Sequence, residues 1–170
     1  MVGKTAGKLG LSVLAAGAVV FGALDVQAGP PTVHGVNFQV KTLLDETFCM
    51  DAEIGNGQEG RRVTIGKCTG RGNQRWTFTD GADGSSVVVG DLGMCLDIRN
   101  HRVKDGTPIQ IWRCHYGTNQ RFVVTPSGRI KEVQSGKCLT VGKGPAAEHK
   151  PVFIDECDEQ VKEQTWRLVQ

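Results

Sequence analysis

The chain has 170 residues, of which 20 are basic and 18 are acidic, so its formal net charge is +2. This length suits one domain of ordinary size rather than two. Because the charges are balanced and form no basic run, they give no electrostatic footprint for nucleic acid or for an anionic membrane surface, and we expect a neutral partner.

Residues 1–28 have the pattern of a secretory signal peptide. Lys4 and Lys8 precede an apolar stretch, and a small-residue cleavage site ends at Ala28. The alternative is a membrane anchor, but the apolar stretch is shorter than the ~20 residues of a spanning helix and ends at Asp25. We therefore expect cleavage after Ala28 and a secreted mature chain without a membrane span.

Residues 29–35 form a short leader that we expect to be mobile, and one domain should cover residues 36–170. In this domain, short apolar and β-branched runs alternate with Gly, Asp and Asn, and no stretch keeps a helical period, which predicts an all-β fold. The runs fall into three repeats of four strands, at about 36–80, 85–126 and 128–170. The predicted strands are 38–43, 48–52, 62–68 and 75–79, then 87–90, 94–98, 108–114 and 120–125, then 129–133, 137–141, 151–157 and 164–169.

Two evenly spaced markers define the repeat. The six cysteines fall into three consecutive pairs with equal separations of 19 residues, and each pair is followed by a Gln-x-Trp or Gln-x-Phe motif. The pairs are Cys49 and Cys68, Cys95 and Cys114, and Cys138 and Cys157; the motifs are Gln74-Arg75-Trp76, Gln120-Arg121-Phe122 and Gln164-Thr165-Trp166.

The cysteines indicate one disulfide in each repeat. Six cysteines allow fifteen pairings, among which the sequence alone does not choose. A threefold structure should use one bridge per unit, and Cys49–Cys68, Cys95–Cys114 and Cys138–Cys157 are the pairs of equal span. A zinc site is the alternative, but the chain has no Cys-x-x-Cys and its four histidines are scattered, so we expect no metal.

The triple Gln-x-Trp pattern with matched cysteines resembles the ricin B-type lectins, a family of carbohydrate-binding modules, over about residues 36–170. The resemblance implies a β-trefoil, in which three hairpins close one end of a six-stranded barrel. Trp76, Phe122 and Trp166 recur in every repeat, and we therefore interpret them as core rather than as ligand contacts. A sugar site should instead use residues that some repeats have and others lack.

The middle repeat has the full set of residues that the family uses to bind galactose. In the relatives, the residues matching Asp97 and Asn119 bind the 3- and 4-hydroxyls, and the residue matching Trp112 stacks on the sugar face. Gln110 can donate to and accept from a hydroxyl, and Gln120 should hold Asp97 in place. A flat indole suits the C–H face of galactose, and a carboxylate accepts strong hydrogen bonds from hydroxyls.

The other two repeats depart from this pattern. The first keeps Asp51, Asn73 and Gln74 but has Thr64 and Gly66 where the middle repeat has Gln110 and Trp112, so we expect a weak second site or none. The third repeat should not bind galactose, although Phe153 and Asp155 could face a different ligand. Its replacements for the carboxylate, glutamine, indole and asparagine are Thr140, Phe153, Asp155 and Glu163.

The sequence therefore predicts a non-enzymatic secreted lectin for galactose or N-acetylgalactosamine, without cofactors, whose partners are galactoside glycans or polysaccharide. A protein partner or a homo-oligomer is also open. The main alternative is a binding subunit of a secreted toxin or enzyme complex that uses the trefoil for docking on a protein or cell surface. A third, a protease inhibitor, lacks an evident reactive loop. Gly55 to Gly60 spells a dinucleotide fingerprint, but a strand-like segment follows where that motif requires a helix.

Overall fold

A computed structural model describes residues 35–53, 59–81, 83–90 and 93–170. The expected signal peptide, and the leader apart from Gly35, lie outside these residues. The described residues form twelve strands, with a 3₁₀ turn before the last strand of each repeat and one after β6. The strands are β1 (Gly35–Thr42), β2 (Phe48–Ala52), β3 (Arg61–Lys67), β4 (Trp76–Asp80), β5 (Ser86–Gly90), β6 (Met94–Ile98), β7 (Thr107–Arg113), β8 (Arg121–Val124), β9 (Ile130–Glu132), β10 (Cys138–Val141), β11 (Lys150–Asp155) and β12 (Trp166–Val169).

The strands form a β-trefoil. A barrel runs in the order β12, β1, β4, β5, β8 and β9 through antiparallel pairs, and the amide of Trp166 closes it by donating to the carbonyl of Gly128 at 2.8 Å. The hairpins β2–β3, β6–β7 and β10–β11 cap the barrel. Strands β3, β7 and β11 also pair with one another, so the three hairpins meet around a pseudo-threefold axis.

Alternating side chains build a single core beneath these hairpins. In β7, Ile109 and Ile111 are buried in the core, while Gln110 and Trp112 lie on the opposite face. The repeated aromatic residues Trp76, Phe122 and Trp166 are 0%, 0% and 2% exposed. This confirms their interpretation as core residues.

The predicted and observed strands differ mainly at their ends. Gln120 and Gln164 lie in 3₁₀ turns (Thr118–Gln120 and Lys162–Gln164), not in β8 and β12 as the sequence suggested. The reason is local, because the carbonyl of each side-chain amide accepts a hydrogen bond from a backbone amide four to six residues earlier. The third strand of each repeat also ends before its cysteine.

Each repeat carries one disulfide, Cys49–Cys68, Cys95–Cys114 or Cys138–Cys157. The bridges join the second strand of each repeat to the segment that follows its third strand. In the middle repeat, Cys95 lies two residues before Asp97, and Cys114 begins the segment that leads to Asn119. The covalent link therefore fixes one edge of the predicted site to the other.

Candidate functional site

Three amide side chains converge on the carboxylate of Asp97, which lies near the end of β6. Gln110, directly opposite on β7, donates through Nε2 to Oδ1 at 2.9 Å. From the following 3₁₀ turn, Nδ2 of Asn119 and Nε2 of Gln120 donate to Oδ2 at 2.8 and 3.0 Å. We call these four residues the middle-repeat cluster.

Gln120 connects this cluster to the backbone around it. Its Nε2 also donates to the carbonyl of Arg113 at 3.0 Å, and its Oε1 accepts from the amides of His115 and Tyr116 at 2.9 and 3.1 Å. All the polar capacity of this fully buried side chain is therefore used inside the protein. Gln120 positions Asp97 and the turn that carries Asn119.

Asp97 is only 2% exposed, so its carboxylate lies beneath the amides rather than open to solvent. Two oxygens offer about four acceptor positions, and the amides use three, which leaves one on Oδ1. Oδ1 of Asn119 is buried and accepts no hydrogen bond from the described residues. Unpaired buried acceptors are rare in folded proteins, so the cluster has hydrogen-bonding capacity that the fold does not use.

Trp112 lies on the same face of the hairpin as Gln110, two residues further along β7, and remains partly exposed. A Cβ atom added to Gly60 of the first repeat would lie 3.5 Å from its Cζ3 atom. Gly60 has a φ of +83° and donates its amide to the carbonyl of Ile111 at 2.9 Å. Gly60 thus brings the first repeat up to the indole of the middle repeat.

The first repeat forms a reduced version of this arrangement, with two amides instead of three on its carboxylate and no indole. Asn73 and Gln74 donate to Asp51 at 2.8 and 2.7 Å. The position of Trp112 is taken by Gly66, and an added Cβ there would be 2.9 Å from Oε2 of Glu148, which belongs to the third repeat. A hollow of about 500 Å³ is lined by Asp51, Glu53, Arg61, Asn73 and His149. Burial raises the pKa of Asp51, and the nearby Glu148 adds to the rise.

The third repeat replaces the carboxylate with a hydroxyl. Nε2 of Gln164 donates to Oγ1 of Thr140 at 3.1 Å and to the carbonyl of Glu156 at 2.7 Å. Phe153, Asp155 and Glu163 help to line a hollow of about 480 Å³ at this position. Burial raises the pKa of Asp155, and the Asp105 carboxylate raises it further.

The raised pKa of Asp155 predicts a pH-dependent stability. The native carboxyl takes up a proton at a higher pH than the unfolded chain does, so the cost of its charge is present at pH 7 and disappears below the ordinary value of 3.8. We expect Asp155→Asn to raise the melting temperature by about 1–2 °C at pH 7 and not at pH 3.5. Glu159→Gln, on an exposed carboxylate of the same repeat, is the control. A difference between Asp155→Asn and wild type that is the same at both pH values would contradict this cause.

Three acidic residues that connect neighbouring repeats were not identified from the sequence. Glu59, Asp105 and Glu148 reach from one repeat to the next, each directly before a residue with positive φ (Gly60, Gly106 or His149). They contact Arg113, Glu156 and Lys67, which follow the Trp112 position in the three repeats. Their spacing of 46 and 43 residues matches the repeat, and this spacing could have identified them in the sequence.

Within the residues that the structure describes, no helix has the length and apolar character needed to cross a membrane.

Comparison with known proteins identifies the lectin family. The family model for the ricin-type beta-trefoil lectin domain matches residues 36–166. Probable lipoprotein EnvE of Salmonella typhimurium is 31% identical over 71% of this chain. Beta-galactoside-specific lectin 3 of Viscum album is 33% identical over 48% of it. These alignments cover 62% and 14% of the two relatives, so the chain spans less than two thirds of either.

Among solved structures, the designed threefold-symmetric protein ThreeFoil superposes with a TM-score of 0.74 at 24% identity, over 79% of this chain and 98% of that one. This likeness supports the fold. Together with the match of the family model over most of the chain, it leads to one assignment: the chain belongs to the ricin-type β-trefoil lectin family.

Proposed function

We propose that this carbohydrate-binding protein is a secreted lectin that binds galactose or N-acetylgalactosamine through a single site in its middle repeat. Asp97, Gln110, Trp112, Asn119 and Gln120 form the site. The observation that carries the proposal is the convergence of three amides on one carboxylate beside a partly exposed indole.

The chemistry of the cluster suits two neighbouring sugar hydroxyls. The free acceptor position of Asp97 receives one hydroxyl proton in a charge-assisted hydrogen bond, and Oδ1 of Asn119 accepts another after a small adjustment of the turn. The side chain of Trp112 covers the C–H face of the ring. Galactose presents its 3-hydroxyl and axial 4-hydroxyl on one side of such a face, and a relative is named as specific for β-galactosides.

The first repeat binds weakly or not at all under this proposal. Asp51, Asn73 and Gln74 retain the polar arrangement, but the position of the indole holds Gly66 with the Glu148 carboxylate against it. A charged group there cannot replace the apolar contact that an indole makes with the sugar. The third repeat lacks both the carboxylate and the indole, so it does not contribute a galactose site.

A matched pair of variants tests the assignment of the working site. We expect Asp97→Asn to weaken lactose binding about tenfold, because the amide loses the charge that strengthens the hydroxyl bond. Asp51→Asn, at the equivalent position in the first repeat, should leave the affinity within about twofold of wild type, because that repeat contributes little or no binding. Both affinities are measured by calorimetry on folded protein. Equal losses in the two variants, or none in Asp97→Asn, would overturn the proposal.

A single shallow site of this kind binds free sugar with a dissociation constant of about 1 mM. Useful avidity then requires a homo-oligomer or a larger assembly that presents several copies. The second candidate function, a binding subunit of a secreted toxin or enzyme complex, is favoured by the name of another relative, ribosome-inactivating protein PMRIPt of Polygonatum multiflorum, of which this chain matches 8%. A stoichiometric protein partner together with no response to galactosides would support that candidate.

Secretion is part of the proposal, with cleavage after Ala28 and the domain at residues 36–170. The EnvE relative is named as a probable lipoprotein, so a lipid-anchored form is the alternative to test. N-terminal sequencing and the intact mass of the mature protein distinguish a free Gly29 from a lipid-modified N-terminus.

A further inference from the structure

The loop between β6 and β7 contains a cluster of cations that the proposed galactose site does not use. Arg99, Arg102 and Lys104 line a hollow of about 260 Å³, and its other lining residues include Asp105, Gly106 and Pro108. None of the three side chains makes an ion pair with any residue that the structure describes. Three unpaired cations against the single carboxylate of Asp105 give the lining of the hollow a net positive charge.

The one acidic side chain in this loop, Asp105, is paired with a residue outside the loop. Asp105 accepts from Nζ of Lys137 at 2.7 Å and from the amide of Glu156 at 3.1 Å. The Lys137 bond lowers the pKa of Asp105, and the same bond raises the pKa of Lys137. Asp105 lines the hollow but is engaged by Lys137, which also pairs with Glu156, so this carboxylate offsets at most one of the three cations.

The backbone holds the loop in a defined shape. Asn100 and His101 are consecutive non-glycine residues in the left-handed region, with φ of 57° and 56°. Such residues are costly and persist where the surroundings fix them. The amide of Arg102 donates to the carbonyl of Arg99 at 3.3 Å, and that of Gly106 to the carbonyl of Ile154 at 2.9 Å. The cations thus stand on an anchored turn.

The same loop reaches the middle-repeat cluster through His115. The ring of His101 stacks on the ring of His115, with centroids 5.7 Å apart and planes 20° from parallel. Nε2 of His115 lies 3.5 Å from Oδ2 of Asp97. Arg99 also follows Asp97 by only two residues. A ligand held at Asp97 therefore has the cationic loop as its immediate neighbour.

We propose that this hollow is a subsite for a tetrahedral oxyanion, so that the protein prefers galactosides carrying a sulfate or phosphate ester. The proposal rests on the proposed function of the middle repeat. Arginine guanidinium groups match the geometry of such oxyanions through paired N–H donors, and lysine adds a point charge. Asp155, Glu156 and Asp158 lie around the adjoining hollow of the third repeat. This acidic border disfavours an extended polyanion and favours one compact anionic group.

The test uses ¹⁵N-labelled protein titrated with inorganic sulfate, with inorganic phosphate and with galactosides. We expect both inorganic anions to cause saturable shifts of the backbone amides from Arg99 to Thr107. We further expect at least one of galactose 6-sulfate, lactose 3′-sulfate and galactose 6-phosphate to bind about tenfold more tightly than its neutral parent, as one charge-assisted contact allows. The sulfate and phosphate arms show which ester is preferred.

The double variant Arg102→Gln/Lys104→Gln should lose the loop shifts and bring the ester preference to within about twofold, as expected when a charge-assisted contact is removed. Both residues are exposed, so the fold should persist. Arg71→Gln, on an exposed arginine of the first repeat, is the matched control and should keep both properties.

The outcomes separate the two proposals. If galactose shifts no side-chain amide of Asn119 or Gln120, the galactoside assignment is wrong, while inorganic sulfate still reports on the hollow. No saturable loop response to either inorganic anion overturns the oxyanion subsite. Equal affinity for charged and neutral galactosides also overturns it. So does binding to vesicles of anionic phospholipid that needs the two cations while no ester is preferred, because the surface would then be a membrane contact.

Discussion

Replacing Trp112 with alanine should lower the affinity for galactose about 100-fold and change the melting temperature by no more than about 2 °C. Covering one face of a sugar ring removes apolar surface of both partners from water, worth roughly 2–3 kcal/mol, which corresponds to that factor. The indole is partly exposed at the end of β7 and outside the core, so its loss leaves no cavity in the barrel.

The measurement is calorimetric titration with lactose, accompanied by thermal melting of the same samples. Trp112→Phe is the graded control, because the smaller ring retains part of the stacking surface, and its loss should be about fivefold. An unchanged affinity of Trp112→Ala would contradict the assigned platform. A large drop in melting temperature would instead make Trp112 a structural residue.

The fold could be predicted because its markers are local and repeated. Cysteines 19 residues apart, each pair followed by a Gln-x-Trp or Gln-x-Phe motif, defined three units without knowledge of any long-range contact. Strand ends were less predictable at the glutamines. Whether Gln120 continues a strand or ends a turn depends on which backbone amides its side chain accepts, and only the folded chain brings the amides of His115 and Tyr116 into reach.

The composition of the middle-repeat cluster was predictable from the resemblance to the lectin family and, for Asp97, Gln110 and Asn119, from variation among the repeats. The burial of its carboxylate was not predictable, because the 2% exposure of Asp97 results from three amides that close over the carboxylate from two directions. The repeat spacing could have singled out Glu148, but its partner could not be predicted, because the contact joins residues 81 positions apart around the threefold axis.

The unpaired positive charge of the loop between β6 and β7 could not be predicted from the sequence, also because it depends on contacts in the folded chain. A count over the whole chain averages Arg99, Arg102 and Lys104 with nearby acidic residues and suggests a neutral partner. The structure shows that Asp105, the acid closest in sequence to these cations, bonds to Lys137 instead. Pairing in space, rather than the order of charges along the chain, determines where unbalanced charge remains.

Replacing Trp76 with alanine should strongly destabilise the fold and leave the affinity for lactose nearly unchanged, which is the reverse of the result expected at Trp112. Trp76 is 0% exposed, packs in the barrel core and donates its Nε1–H to the carbonyl of Met50 at 3.1 Å. Its removal opens a cavity and leaves that carbonyl without the indole donor, which should cost about 3–5 kcal/mol of unfolding free energy. Urea denaturation with intact disulfides measures this loss as a lower midpoint.

Trp76→Phe should cost only about 1–2 kcal/mol, because Phe122 already occupies the equivalent position in the middle repeat and the missing part is chiefly the indole N–H bond. At 10 °C, where Trp76→Ala should remain largely folded, its affinity for lactose should stay within about twofold of wild type, since additivity holds for distant sites. Loss of lactose binding by a folded Trp76→Ala protein would mean that Trp76 itself supports the site. Retained lactose binding, together with the loss expected for Trp112→Ala, would assign different roles to the two tryptophans. Trp76, whose position is aromatic in every repeat, would stabilise the barrel, and Trp112, found in one repeat, would contact the sugar.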